Sequence, residues 1–271
     1  MDTYFFVPGN RVNKIEDIEA LGVTQIIIDL EDAVKFSERE SILKVFKNNN
    51  LLQKYFIRIP LFNEKGILDF YFLKKLVALG YSKFVFPKLN EFDQVSQVFN
   101  SIGTANIKVL LLIETPRLFL EAKDILLSFR KYICAIGMGS HDFMSEIGGE
   151  HTLKNLEVVR LQLLYLARMC SMEAIDIASM ELIDEKSFKD EIIDGFMKGY
   201  DAKFFIHPWQ LNVFKGLSLY TEKDYFWATK ILETLKEVGN VDEFNPVIID
   251  GQVIERPHLN KAKKIIKYYK S

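Results

Sequence analysis

The stretch Lys108–Gly148, KVLLLIETPRLFLEAKDILLSFRKYICAIGMGSHDFMSEIG, decides the fold. Its two apolar runs, Val109–Ile113 and Tyr132–Ile136, each stop at residues able to do chemistry. The first ends at Glu114, and the second leads through Gly137-Met138-Gly139 to Asp142. Between them Leu118, Ala122, Ile125, Leu126 and Phe129 fall at helical spacing, so the unit reads strand, helix, strand. A right-handed crossover makes the two strands parallel and puts their C-terminal ends on one side. Topology thus brings Glu114 towards Asp142, and two carboxylates above parallel strand ends suit a hard divalent cation such as Mg²⁺. A second reading stands beside it, because a carboxylate after a buried strand also serves as a helix cap or a partner for Arg.

Working outward, eight strand-like runs can be counted: Tyr4–Val7, Gln25–Leu30, Tyr55–Ile59, Lys83–Phe86, Val109–Ile113, Tyr132–Ile136, Glu173–Ile177 and Lys203–Ile206. Most are continuous apolar runs followed by a helical pattern, as expected of strands covered on both faces. Eight such units predict an α/β protein, a (β/α)₈ TIM barrel, with a C-terminal helical extension. A doubly wound open sheet is the alternative, but no Gly-x-Gly-x-x-Gly turn follows the first run. In such barrels the working residues sit at the C-terminal strand ends. Reading past each run gives Pro8-Gly9-Asn10-Arg11, Asp29 with Glu31 and Asp32, Arg58, Lys88, Glu114, His141 with Asp142, Asp176, and His207-Pro208. Lys83, Lys108 and Lys203 at the opposite ends read as snorkelling side chains. A ring of acids and bases at one face suits a small anionic substrate held beside a metal.

Composition narrows the function classes. The 271 residues are 49% apolar and 27% charged, ordinary for a globular protein, with room for a sizeable core. A net charge of −2 without a basic run argues against nucleic acid. The one basic cluster, Lys261–Lys264 with Lys267 and Lys270, reads as the solvated face of a terminal helix. The longest apolar runs are about five residues, too short to span a bilayer, and no signal peptide is recognised, so a cytoplasmic protein without a membrane role is expected. Cys134 and Cys170 lack metal-ligand spacing and read as buried thiols. Trp209 and Trp227 read as packing residues. After His207 the chain changes character: Asp224–Gly239 is a long helical stretch, Val241–Val253 is extended and turn-rich, and Asn260–Tyr269 closes as a basic amphipathic helix. The expected division is a catalytic barrel over 1–220 and an extension over 221–271, packing on the barrel or on a neighbouring subunit.

These residues resemble the citrate lyase β-subunit-like proteins of the HpcH/HpaI aldolase group, over nearly the whole chain. The resemblance rests on FVPGNR (6–11), IIIDLEDAV (26–34), FPK (86–88), LLIETPR (111–117) and GMGSHDF (137–143). AIDIASMELID (174–184), GYDAKFFIHPWQ (199–210) and DGQVIERPHL (250–259) follow in the same order. It implies a Mg²⁺-dependent carbon–carbon lyase acting on 3-hydroxy-acyl thioesters such as citryl-, malyl- or citramalyl-coenzyme A, giving acetyl-coenzyme A and a 2-keto acid. Carried over by position, Glu114 and Asp142 become the metal ligands. Arg58 contacts the substrate carboxylate or enolate oxygen, and Asp29, Glu31 and Asp32 form an acidic motif that orients water and basic groups, with Asp29 counted among the catalytic residues. Arg11, Lys88 and His207 are further candidates for substrate contact, Arg11 and Lys14 through coenzyme A phosphates. The resemblance also implies a homotrimer, or a multiple of trimers.

Three departures bear on activity. Where relatives carry Asp in G-x-x-x-D-x-P and use it as acid/base, this chain has Glu255, one methylene longer; a misplacement near 1 Å can cost about 100-fold in rate. Pro60 stands where Asn is common, and Leu89 follows Lys88 where Glu is common. Two further readings therefore stay open: an aldolase acting on free pyruvate- or oxaloacetate-type compounds, and a ligand-binding homologue that has lost turnover.

Overall fold

The computed structural model describes residues 1–103, 106–238 and 245–269. Eight parallel strands close into a barrel in sequence order: β1 (Asp2–Pro8), β2 (Gln25–Asp29), β3 (Phe56–Arg58), β4 (Lys83–Phe86), β5 (Lys108–Ile113), β6 (Ile133–Met138), β7 (Glu173–Asp176) and β8 (Ala202–Phe205). β8 pairs back onto β1, Tyr4 standing opposite Phe204, which closes the sheet. The chain is therefore a TIM-barrel α/β protein, and the strands lie within a residue or two of the runs read from the sequence.

The first half of the barrel carries α1 (Ile15–Glu19), α2 (Arg39–Lys47), α3 (Tyr71–Ala78) and α4 (Phe92–Ile102), and in the second half local chemistry explains where the helices begin. After β5, Thr115 accepts a hydrogen bond from the Leu118 N–H at 3.1 Å and Pro116 takes the first helical position, so α5 (Pro116–Phe129) starts one residue beyond Glu114. Leu118, Ala122, Ile125 and Leu126 form its buried face. α6 (Ser140–Ile147) begins directly after β6, and α7 (Leu153–Cys170) is capped by Thr152. α8 (Glu185–Lys198) is capped by Asp184 and ends at Gly199 with φ 110°.

Strand parity sorts the side chains. Tyr4, Ile27, Phe56, Val85, Leu110, Leu112, Ala135, Ile175, Ala202 and Phe204 fill the barrel interior. Each such burial is worth roughly 1.5–3 kcal/mol for a large apolar side chain. Alternate residues face the helices, and two expectations change on that account. Asp176 does not join the ring of site residues. It is fully buried outside the sheet, where Arg160 of α7 grips it at 3.0 and 2.7 Å and reaches Asp194 at 2.7 Å. Lys203 does not snorkel either: its Nζ is buried, donating to the Ile177 carbonyl at 2.8 Å and to Glu191 at 2.5 Å. Both follow from neighbours Ile175, Ala202 and Phe204 pointing inward, since successive strand residues alternate faces. Cys170 is buried as expected, whereas Cys134 is half-buried, and both are free thiols.

The chain divides into two compact units, Met1–Asn212 and Val213–Ser271. The second holds α10 (Glu222–Val238), a hairpin of β9 (Val247–Ile249) and β10 (Gln252–Ile254), and α11 (Arg256–Tyr268). Asp250 and Gly251 link the hairpin with φ of 51° and 77°, the left-handed pair that a two-residue turn requires. Ala228, Ile231, Leu235, Ile249, Ile254, Leu259, Ala262 and Ile265 give this unit an apolar core of its own. Residues 239–244, part of the expected helix end and extended segment, lie outside the described residues. Among the described residues no helix is long and apolar enough to cross a membrane.

Candidate active site

A cavity of about 360 Å³ opens at the C-terminal end of the barrel. It is built where inward-facing positions reach or run past the strand ends: Pro8 at the end of β1, Asp29 on β2, Arg58 on β3, Glu114 after β5, and Gly139 to Asp142 after β6. Asp29 and Arg58 stand opposite each other in the β2–β3 register. Arg58 donates from Nε to Oδ1 at 2.8 Å and from Nη2 to Oδ2 at 2.6 Å, a two-pronged fork. The same carboxylate accepts the backbone N–H of Glu31 at 2.9 Å and of Ala33 at 3.2 Å, so Asp29 holds both Arg58 and the loop after β2. Burial alone would lower the Arg58 pKa, but the hydrogen bonds and charge of Asp29, with Asp32 and Glu31, carry it above the ordinary value. Its guanidinium also lies 5.1 Å from the Phe6 ring centroid.

Arg58 Nη1 approaches Asp32 at 3.2 Å, and Lys88 reaches the same acidic pair from the other side, at 2.6 Å from Asp32 and 3.2 Å from Glu31. Burial, reinforced by the Asp32 charge, pushes the Glu31 carboxyl up to about 7. Lys88 contributes its main chain as well: φ is +56° there, and the N–H turned by that geometry meets Glu114 Oε2 at 2.5 Å. Glu114 is only 2% exposed, and burial pushes its carboxyl up to about 7, the nearby Asp142 charge adding to the shift. A Cβ at position 139 would stand 2.4 Å from Glu114 Oε1, so the glycine makes room for the carboxylate. Asp142 lies in the first turn of α6 and is exposed.

The remaining candidates stand elsewhere. Lys88 Nζ is held by Asp32 and Glu31, and its side chain does not line the cavity. Arg11 is exposed in the 3₁₀ segment Gly9–Lys14 and does not line the cavity. His207 is exposed, its Nδ1 accepting the Trp209 N–H at 3.1 Å where α9 (Pro208–Lys215) begins. Ile206, one position earlier, lines the cavity instead. Glu255 belongs to the second unit, where it is exposed at the start of α11 and its N–H donates to His258 Nδ1 at 3.1 Å.

A model of the family described as HpcH/HpaI aldolase/citrate lyase matches residues 2–208, the barrel with all its strands. The chain belongs to this family. Among its relatives, the citrate lyase subunit beta of Haemophilus influenzae is 26% identical over 98% of this chain and 96% of its own length. The (3S)-malyl-CoA thioesterase of Cereibacter sphaeroides is 23% identical over 96% of this chain and 92% of that protein. A crystal structure of CitE from Mycobacterium tuberculosis, in complex with magnesium, acetoacetate and coenzyme A, superposes with a TM-score of 0.80 at 20% identity, covering 98% of this chain and 97% of that one. The family is of lyase type and includes thioesterases, which places this member in aldolase- and coenzyme A-related chemistry without fixing its substrate.

The HpcH/HpaI site passes a physical test for a divalent cation. Glu114 is a buried carboxylate whose ionisation is opposed by burial and by Asp142, and a cation between the two would relieve both costs. Among the described residues no three His, Cys, Asp or Glu side chains gather as a complete ligand set. The chain would supply two ligands and leave the other positions to water and substrate, the usual mode for Mg²⁺.

Three features were missing from the sequence reading. From the sequence Gly139 reads only as a link towards Asp142, and Lys88 only as a side chain. The apolar floor of Phe6, Leu112 and Phe204 was missed altogether. A signal for the floor was available, because these residues share strand parity with the site groups above them.

Proposed function

We propose that the chain is a Mg²⁺-dependent carbon–carbon lyase that cleaves, or forms, a 3-hydroxy-acyl-coenzyme A thioester. The observation that supports this best is the meeting, in one cavity, of buried Glu114, Asp142 and an Arg58 already oriented by Asp29. In the cleavage direction the bond between the carbinol carbon and the thioester α-carbon breaks. The hydroxyl loses its proton and becomes the keto carbonyl, and the electron pair passes to the α-carbon as the thioester enolate. A proton delivered to that carbon completes acetyl-coenzyme A. Mg²⁺ held by Glu114 and Asp142 would supply Lewis acidity to the developing keto acid. Arg58 provides a fixed cation where oxyanion charge grows, and Asp29 saves it from reorienting during the reaction. Asp32 pairs with Arg58 and, together with Glu31, with Lys88, so the acidic pair links the two cations beside the cavity. Glu255 is the acid/base that serves the enolate carbon, brought by the C-terminal unit in a homotrimer.

The test is product analysis with citryl-, malyl- and citramalyl-coenzyme A, with and without Mg²⁺, for the natural chain and Glu114→Ala. Acetyl-coenzyme A released only with Mg²⁺, and reduced at least about 100-fold in the variant, is the expected result. Free coenzyme A in its place would make the chain a hydrolase, like its thioesterase relative. No product from any thioester would defeat the lyase reading.

A further inference from the structure

Asp142 reaches the cavity from an exposed position in the first turn of α6, so the backbone of that turn decides where its carboxylate stands. The turn starts without an ordinary anchor. Gly139, just before it, has no side chain with which to cap the helix, and a Cβ there would collide with Glu114. Further along, Phe143 is buried and meets the Phe119 ring of α5 edge-on at 6.0 Å, which seats the body of α6. The two residues before Asp142 are secured from elsewhere.

Both are held by His151. Ser140, 2% exposed, has its Oγ 2.8 Å from His151 Nε2. A hydroxyl both donates and accepts, so either tautomer of the ring satisfies this bond. His141 lies face to face with the same ring, with 3.7 Å between centroids and 4° between planes. Among the described residues His141 Nε2 is buried without a hydrogen-bond partner, so that nitrogen does not fix the ring, and the stack does. His151 is itself secured in the short link between α6 and α7. On one side the Gly149 N–H donates back to the Met144 carbonyl at 3.0 Å, and on the other Thr152 caps α7 by accepting the Asn155 N–H at 3.2 Å. Asn155 also donates from Nδ2 to the Glu150 carbonyl at 3.0 Å. The imidazole thus ties the start of α6 to the start of α7, an 18-residue helix with Leu156, Leu163 and Leu164 in its buried face.

We propose that His151 is a positioning residue for the metal site: its bond to Ser140 and its stack on His141 fix the first turn of α6, and with it the Asp142 carboxylate relative to Glu114. The inference rests on the Mg²⁺ part of the lyase reading and goes beyond it, since His151 does not line the cavity.

The test is Mg²⁺ binding by the full chain, measured by calorimetry for the natural chain, Ser140→Ala, His151→Phe and the double variant. Thermal midpoints of the metal-free samples report folding alongside. Ser140→Ala removes the bond and keeps the stack, and His151→Phe removes the same bond while leaving a flat ring against His141. Each should weaken Mg²⁺ binding about tenfold, the lower end of what losing an outer partner of a metal ligand costs. The double variant should bind no more weakly than either, because both changes delete one bond. His151→Ala, which deletes the stack as well, should weaken binding about 100-fold. Unchanged affinity in Ser140→Ala and His151→Phe, whatever the thermal midpoints, overturns the proposal and leaves His151 a purely structural link. Losses that multiply in the double variant overturn it too, since the two residues would then act separately. Should His151→Phe fail to fold, the affinity of Ser140→Ala, a change of one oxygen atom, gives the answer. The expected pattern of affinities without turnover of any thioester supports His151 and sinks the lyase reading alone. Unchanged affinities beside normal Mg²⁺-dependent turnover sink the proposal alone, and no Mg²⁺ binding by the natural chain overturns both.

Discussion

Glu114 is held at one oxygen and closely overlain at the other, and that constraint makes two residues testable. Oε2 takes the Lys88 N–H, and Oε1 lies where a Cβ at Gly139 would be. Gly139 has φ −82° and ψ 76°, a backbone open to other residues, so the need for glycine is one of space. Gly139→Ala would push on a carboxylate that is pinned at its other oxygen by the Lys88 N–H. Displacement near 1 Å costs about 100-fold in rate. The expected outcome is a loss of Mg²⁺ affinity of at least about tenfold by calorimetry, with the circular dichroism spectrum unchanged. Normal affinity would show that Glu114 does not orient the metal. Lys88 separates main chain from side chain. Its φ of +56° costs about 1 kcal/mol for a non-glycine residue. Lys88→Gly removes that strain and keeps the N–H on Glu114, but it strips Asp32 and Glu31 of one cation. Mg²⁺ affinity should stay within about threefold while kcat/KM falls about tenfold. If affinity collapses with the side chain, the main-chain hydrogen bond is not what positions the ligand.

At the scale of the element, parity decides which polar residue becomes a site residue. Asp29, Arg58 and Glu114 continue the inward series of their strands, whereas Asp176 faces α7. Asp176→Ala would leave Arg160, fully buried, with Asp194 as its remaining carboxylate. Breaking such a pair costs about 3–5 kcal/mol, so a marked fall in thermal midpoint is expected, with kcat of the folded fraction unchanged. A variant equally stable but slower would place Asp176 in the chemistry after all. The contrast also shows how far the sequence could be read. Barrel, strand positions and the Glu114–Asp142 meeting were legible because apolar runs and turnover points between them survive any change of face. The face itself was not, because strands covered on both sides show no alternation from which to set it. Counting from one inward residue supplies it: Ile175 turns Asp176 outward, and Ile206 takes the inward place beside His207. The main-chain role of Lys88 lay beyond such counting, since nothing in Pro87-Lys88-Leu89 announces a left-handed residue.

At the scale of the molecule, the carboxylate proposed to complete the chemistry and the cavity that needs it belong to different compact units. Glu255 sits in a unit with its own apolar core, exposed at the start of a helix. Replacing it therefore costs at most about 0.5–2 kcal/mol of cap stability, and Glu255→Ala should remain folded. Glu114→Ala removes the other half of the site from the barrel. Each variant alone should be inactive. If each extension serves a neighbouring barrel in a closed ring, co-expression restores sites that draw Glu114 from one chain and Glu255 from the other. Random mixing then returns about a quarter of natural activity. If Glu255 serves its own barrel, every site in the mixture lacks one carboxylate and the activity stays at the level of the separate variants. Mixed oligomers confirmed by differential tagging, yet inactive, would place the extension on its own barrel. Full activity of Glu255→Ala alone would remove Glu255 from the mechanism and send the search for the proton donor back to the cavity wall.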